Sequence, residues 1–326
     1  ATRISPNLIK PAYSSIMPMQ SSQQPYKGET MPSIIKPTKH VPGNNKTYVA
    51  AILLACSLTA VAQTSAPAAP ATPKGEIMGT AWVHTAESLL ASAQLADVVL
   101  PAKATGGAVF AGKLKDVPKF NGGKVPVVVF MHGSSGLGLK AIGEWQQWLA
   151  TLGYASVAPN SFSLPNHVTY KSPIDVDSYE RIHALRASEI APVLAALKTQ
   201  SWADANQMVL AGTSEGSVPV ARYTGKEFAA RMLYAWSCEN NYFVKDPQNA
   251  FEAGKPVLNI ISSTDPFFSK SNSWLGNASA AGHCGAALKG NAAASVVLIP
   301  DAPHTLLNFN AARNATAGFL AQVLKP

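Results

Sequence analysis

The stretch Val125-Pro126-Val127-Val128-Val129-Phe130-Met131 limits what this chain can become more than any other part of it. It is apolar at every position, and it does not alternate. A strand with one wet face alternates, whereas a strand covered on both faces reads as a continuous apolar run. The run therefore predicts a central strand of a parallel sheet with helices packed on both sides. Comparable runs return at 154–159, 207–213, 232–237, 256–261 and 295–300. Helix-compatible stretches lie between them at about 142–152, 177–198 and 308–324, the first with Trp145, Trp148 and Leu149 on one face. Residues 97–102 and 107–111 read as early, partly edge-lying strands, while 77–100 as a whole carries mixed helical and extended signals. Repeated alternation of strand and helix implies an α/β class, with a doubly wound, mostly parallel sheet of about eight strands.

The front of the 326-residue chain reads differently from its body. Residues 1–45 are rich in Pro, Ser, Gln and Lys without periodicity and are expected to be a disordered extension. Residues 46–62 combine a basic flank at Lys46, a short apolar stretch and an Ala60-Val61-Ala62 end, which describes an export signal cut after Ala62. A second export reading places a lipid on Cys56 within Leu53-Leu54-Ala55-Cys56. The run is short for a bilayer span, so no stable membrane insertion is expected. Residues 63–75 form a Pro/Ala tether, and 76–326 are expected to be one α/β domain. The net charge of +8 sits mostly at the front: residues 1–62 hold six basic and one acidic residue, the other 264 hold 20 and 17. The body therefore offers no polyanion-binding surface, and nucleic acid is not an expected partner. Export leaves two cysteines, Cys238 and Cys284, as hosts for one disulfide, with two buried thiols as the alternative.

In an open parallel sheet, functional groups gather beyond the carboxyl ends of the strands. After 125–131 comes His132-Gly133-Ser134-Ser135-Gly136; after 207–213 comes Ser214; after 256–261 comes Ser262-Ser263-Thr264-Asp265; and after 295–300 comes Asp301-Ala302-Pro303-His304. Gly212-Thr213-Ser214-Glu215-Gly216 is a Gly-x-Ser-x-Gly pentapeptide between a strand and a helix. There a serine can be held in a strained turn, and the glycines admit close approach of strand and helix. Nucleophile, acid and base thus arrive as Ser214, Asp265 and His304, with the backbone N–H groups of Ser134 and Glu215 as candidate oxyanion donors. Asp301 is the rival acid, although its place on the histidine's own loop suits it to shaping that turn. His132 is expected to brace backbone, and His167, His183 and His283 to be surface or packing histidines. The Glu215 side chain either faces the pocket, repelling anionic substrates, or bonds a neighbouring loop. No Cys/His or carboxylate cluster has metal spacing, the glycines form no phosphate loop, and no cofactor is implied. The sequons at Asn45, Asn277 and Asn314 are read as plain asparagines.

Taken together, His132-Gly133-Ser134-Ser135-Gly136, Gly212-Thr213-Ser214-Glu215-Gly216, Thr264-Asp265-Pro266 and His304 resemble the α/β-hydrolase superfamily, and the spacings are most similar to its dienelactone hydrolase-like branch. The resemblance covers roughly residues 95 to 325. It implies serine-dependent hydrolysis of an ester or lactone, with the acid following the seventh strand. Ser214 stands where dienelactone hydrolases proper carry cysteine, and the export signal departs from their intracellular location. Short spacing between 239 and 256 predicts no lid domain. Phe162, Tyr170, Tyr242, Phe243, Phe267, Phe268 and Trp274 are candidates to line an apolar acyl or aryl pocket for a small-molecule ester. A peptidase or acyltransferase with the same triad, and a non-catalytic binding relative, are the alternatives.

Overall fold

The computed structural model describes residues 73–325. The expected extension 1–45, export signal 46–62 and most of the tether 63–75 lie outside the described residues. In chain order the elements begin with strand β1 (Glu76–Met78), helix α1 (Ala86–Gln94), β2 (Asp97–Leu100), α2 (Ala102–Thr105) and β3 (Phe110–Lys113). They continue with β4 (Val125–Met131), α3 (Lys140–Thr151), β5 (Ala155–Ala158), β6 (Thr169–Lys171), α4 (Val176–Ser188) and α5 (Ile190–Leu197). Then come β7 (Ala203–Thr213), α6 (Ser217–Arg222), β8 (Ala230–Tyr234), β9 (Val257–Ser262), β10 (Ala294–Ile299) and α7 (Asn310–Val323).

Eight strands form one sheet in the order β10-β9-β8-β7-β4-β5-β2-β3, parallel from β10 to β5 and antiparallel across β5, β2 and β3. β4 is buried at every position, as its unbroken apolar run requires. The two faces carry separate cores. On one, Tyr179, Val193, Leu197 and Val220 from α4, α5 and α6 pack against Val127, Val129 and Leu210. On the other, Ile142, Trp145 and Leu149 of α3 and Ala312, Phe319 and Leu320 of α7 pack against Val128, Phe130 and Val209. Alternate residues of one strand thus point into different cores, and burying each large side chain contributes about 1.5–3 kcal/mol. This is the α/β-hydrolase architecture.

The structure sharpens two of these readings and corrects a third. β2 lies inside the sheet, between β3 and β5, so only β3 of the two early strands is at the edge; Asp97 and Lys113 form an ion pair across them. The unresolved 77–100 region contains a helix whose start is a Thr85–Ser88 capping box, built with serine where glutamate or glutamine gives the clearer sequence signal. The single helix expected over 177–198 is broken at Glu189. Pro192 is the third residue of α5, and its ring would collide with the Ser188 carbonyl if the helix ran on.

β1 and β6 make a separate antiparallel ribbon, with Ile77 opposite Tyr170. Residues 235–256, between β8 and β9, are irregular, with one bridge between Asn241 and Val244. Cys238 and Cys284 are joined as a disulfide with Cα atoms 4.8 Å apart, tying that segment to the loop before β10. No helix of the described residues is long and apolar enough to cross a membrane.

Closing a 46-residue separation restricts the unfolded chain by an amount worth about 4 kcal/mol. Cys238→Ser/Cys284→Ser is expected to lower unfolding free energy by about 2–4 kcal/mol, read from urea titrations of oxidised wild type and variant. Equal midpoints would contradict this.

Candidate active site

β7 climbs from Met208 to Thr213 beside β4, with Met131 opposite Gly212, and the chain then turns at once into a helical turn and α6. A Cβ on Gly212 would overlap the Gly216 carbonyl, and one on Gly216 would overlap the Met131 carbonyl. Backbone therefore touches backbone on both sides of the turn. Ser214 is at φ 53°, a left-handed conformation that costs an L-residue about 1–3 kcal/mol. From Met208 to Ala221 it is the one residue not buried. Ser217 pins the turn from beneath, its hydroxyl within 2.7 Å of the Gly212 carbonyl and 2.9 Å of the Tyr234 carbonyl.

Asp265 follows β9 and is fully buried. Its Oδ1 accepts the N–H groups of Phe267 (2.9 Å) and Phe268 (3.0 Å), while its Oδ2 is 2.8 Å from His304 Nδ1. The backbone bonds fix the carboxylate, and the carboxylate fixes the ring. With Asp265 ionised, Nδ1 carries the proton, so Nε2 is left as the basic nitrogen. Phe267 and Phe268 flank the imidazole with ring centroids 4.6 and 5.9 Å away. Asp301 is exposed at φ 49° in the turn after β10, where its carboxylate meets the Thr264 hydroxyl at 3.3 Å.

Ser214 and His304 line a common cavity of about 290 Å³ with Ser134, Tyr170, Tyr242, Phe243, Phe267 and Phe268. Among the described residues its lining includes no Lys, Arg, Asp or Glu. Two expected aromatics are elsewhere. Phe162 packs against His132 and His167 over Gly136, and Trp274 stands behind Tyr242 at 4.4 Å between ring centroids. Gly133 lies against the elbow, 3.3 Å separating the place of its missing Cβ from that of Ser214. Ser134 follows on the cavity rim. Glu215 is the second residue of a helical turn, a position whose N–H has no partner within the helix. Its side chain turns away from the cavity to Arg186 (2.6 Å) and the Tyr170 hydroxyl (2.7 Å), which settles the two orientations left open by the sequence.

His132 is buried with Nδ1 2.7 Å from the Gly133 carbonyl and Nε2 accepting the Ser161 N–H at 3.3 Å. Two backbone partners of opposite polarity hold it in the Nδ1–H tautomer. Sequence reasoning missed the fully buried Arg186 and Glu189: they pair with each other, but the further partners that complete the group, Glu215 of Arg186 and His84 of Glu189, are far away in the chain. Among the described residues no group of His, Cys, Asp and Glu is arranged to hold a metal.

No protein-family model matches the sequence, and no curated protein matches it. Solved structures are similar in fold. They include esterase PE8, at 18% identity over 64% of this chain and 97% of that one, with a TM-score of 0.46. A dienelactone hydrolase-like promiscuous phosphotriesterase from metagenomic libraries is 17% identical over 70% of this chain and 98% of its own, with a TM-score of 0.46. Est1E from Butyrivibrio proteoclasticus is 17% identical over 62% and 89%, with a TM-score of 0.41.

Burial first, and the Arg186 charge second, push the His132 pKa down from 6.5 to about 3. A base whose pKa falls on folding binds fewer protons in the native state than in the unfolded chain between those two values. Stability conferred by neutral His132 is therefore complete above about 6.5 and declines as the pH falls toward 3, by at most about 1.4 kcal/mol per pH unit. His132→Gln keeps an acceptor for Ser161 and cannot titrate. It is expected to flatten the stability-against-pH slope in urea unfolding over that window; identical slopes would contradict the assignment.

Proposed function

We propose that this chain is a serine hydrolase that cleaves carboxylic esters, or lactones, through an acyl-enzyme. The reading is carried by one observation: a strained, unburied Ser214 and a histidine anchored by buried Asp265 open onto the same small aromatic cavity. In this scheme Ser214 Oγ attacks the carbonyl carbon while His304 Nε2 takes its proton. The carbonyl oxygen becomes an oxyanion and receives the N–H groups of Ser134 and Glu215, each such donor worth about 3 kcal/mol in the transition state. As the C–O bond breaks, His304 returns the proton to the departing alcohol. Water, deprotonated by the same nitrogen, then attacks the acyl-serine and releases the acid. Asp265 holds the tautomer and stabilises the transient imidazolium.

The cavity suggests the substrate. A carboxylate-bearing ester would meet no counter-charge on the lining, so the proposed substrates are uncharged. A space of about 290 Å³ walled by Tyr170, Tyr242, Phe243, Phe267 and Phe268 suits a short acyl or a single aryl group. The proposed setting is the periplasm or the exterior of the cell, through the signal at 46–62, with lipidation at Cys56 as a lesser variant. The Cys238–Cys284 disulfide is in keeping with an oxidising compartment.

Short p-nitrophenyl esters are expected to be cleaved with a kcat/KM well above that of long-chain ones and above peptide substrates. Asp265→Asn is expected to lower kcat by about 10⁴-fold, and Asp301→Asn by less than about tenfold. Equal turnover of long chains would contradict the pocket reading, the reverse ranking of the two aspartates would reassign the acid, and peptide cleavage in preference to esters would make the chain a peptidase.

A further inference from the structure

A set of charges lies behind the elbow that the triad does not use. Arg186, at the end of α4, is fully buried between two carboxylates, with Nε 3.1 Å from Glu189 Oε2 and Nη1 2.6 Å from Glu215 Oε1. Glu189 is in turn within 2.8 Å of the Ser161 hydroxyl and 3.1 Å of His84 Nε2. Glu215 Oε2 accepts the Tyr170 hydroxyl at 2.7 Å. Ser134 and Tyr170 line the same cavity. Burying three charges is a poor route to stability, because apolar side chains of the same volume are often at least as stabilising. Fixed direction is what such a group offers instead, since each buried charge tolerates few geometries.

The direction it fixes is informative. Ser134 follows β4 and Glu215 follows β7, so the two N–H groups assigned to the oxyanion belong to different loops. The Glu215 side chain reaches the Tyr170 hydroxyl, which is carried by a third segment outside the main sheet. We propose that Tyr170, through the Glu215 carboxylate braced by Arg186, is a positioning residue that holds the Glu215 N–H donor in place for the oxyanion; this rests on the acyl-transfer reading above. A donor must meet the oxygen of the tetrahedral state, not that of the ground-state carbonyl. A loop displaced by a fraction of an ångström therefore weakens the transition state while leaving substrate binding nearly intact. The carboxylate also sits one side chain away from a developing negative charge, and Arg186 offsets it there.

Tyr170→Phe removes the hydroxyl and keeps the ring that lines the cavity. The variant is expected to lose about ten- to a hundredfold in kcat with KM within about twofold. The inhibition constant of phenylboronic acid, which forms a tetrahedral adduct on the serine, should rise by a comparable factor. Glu215→Gln retains the N–H and removes the charge that Tyr170 and Arg186 hold, so it tests the same junction. Its loss should combine with that of Tyr170→Phe less than additively. Unchanged kcat and boronate affinity in Tyr170→Phe, whatever its melting temperature, would overturn the inference, as would a rise confined to KM or full additivity of the pair. If wild type neither hydrolyses esters nor binds the boronate, the acyl-transfer reading fails and the inference with it.

Discussion

Contact of backbone with backbone at the elbow is the constraint on which the rest of the site depends. β4, β7 and the turn into α6 approach so closely that neither position 212 nor 216 accepts a Cβ. The approach leaves the chain one way to turn, and it holds Ser214 at φ 53°. Strain of that kind persists only where surrounding structure over-determines it. Here the surroundings are two independent cores, one on each face of the sheet, together with the Ser217 hydroxyl bonded to carbonyls of both β7 and β8. Packing energy distributed across the domain is thus concentrated on the orientation of one hydroxyl.

Around that fixed point, the other groups are placed by different means. Asp265 is held by the first N–H groups of its own loop, and it aims His304. His132 is neutral and links the Gly133 carbonyl of the Gly-rich loop to the Ser161 N–H beyond β5. Tyr170 arrives from the β1–β6 ribbon, and the disulfide ties together the loops on the aromatic side of the cavity. The cavity wall is therefore assembled from loops, while Ser214, Asp265 and His304 follow the ends of β7, β9 and β10. On this account the chemistry and the substrate preference can vary independently.

The sheet was largely legible because its signal is local: an unbroken apolar run such as 125–131 has few other uses in a folded chain. The order Ser214, Asp265, His304 was legible for a related reason, since each residue follows a recognisable strand end. The break in the helix at Glu189 could have been found from Pro192, whose ring forbids the preceding turn. Other features had no local signature. Arg186 continues the buried stripe of Tyr179, Ile182 and His183 on α4, but its partner Glu215 is assigned only by a fold that brings them together. Which of seven aromatics face the cavity depends on loop conformation, so Phe162 and Trp274 were indistinguishable in sequence from the five that line it. The two early strands are legible but not their pairing or their order in the sheet, because the pairing of β2 with β5 is a long-range choice.

The central claim is that Ser214 is the nucleophile. It is tested most directly by treating the native protein with a fluorophosphonate and mapping the adduct by peptide mass spectrometry. The account predicts a single modified site at Ser214, with labelling lost in Ser214→Ala and strongly slowed in His304→Ala. An adduct on another serine, or an unlabelled wild type, would contradict it.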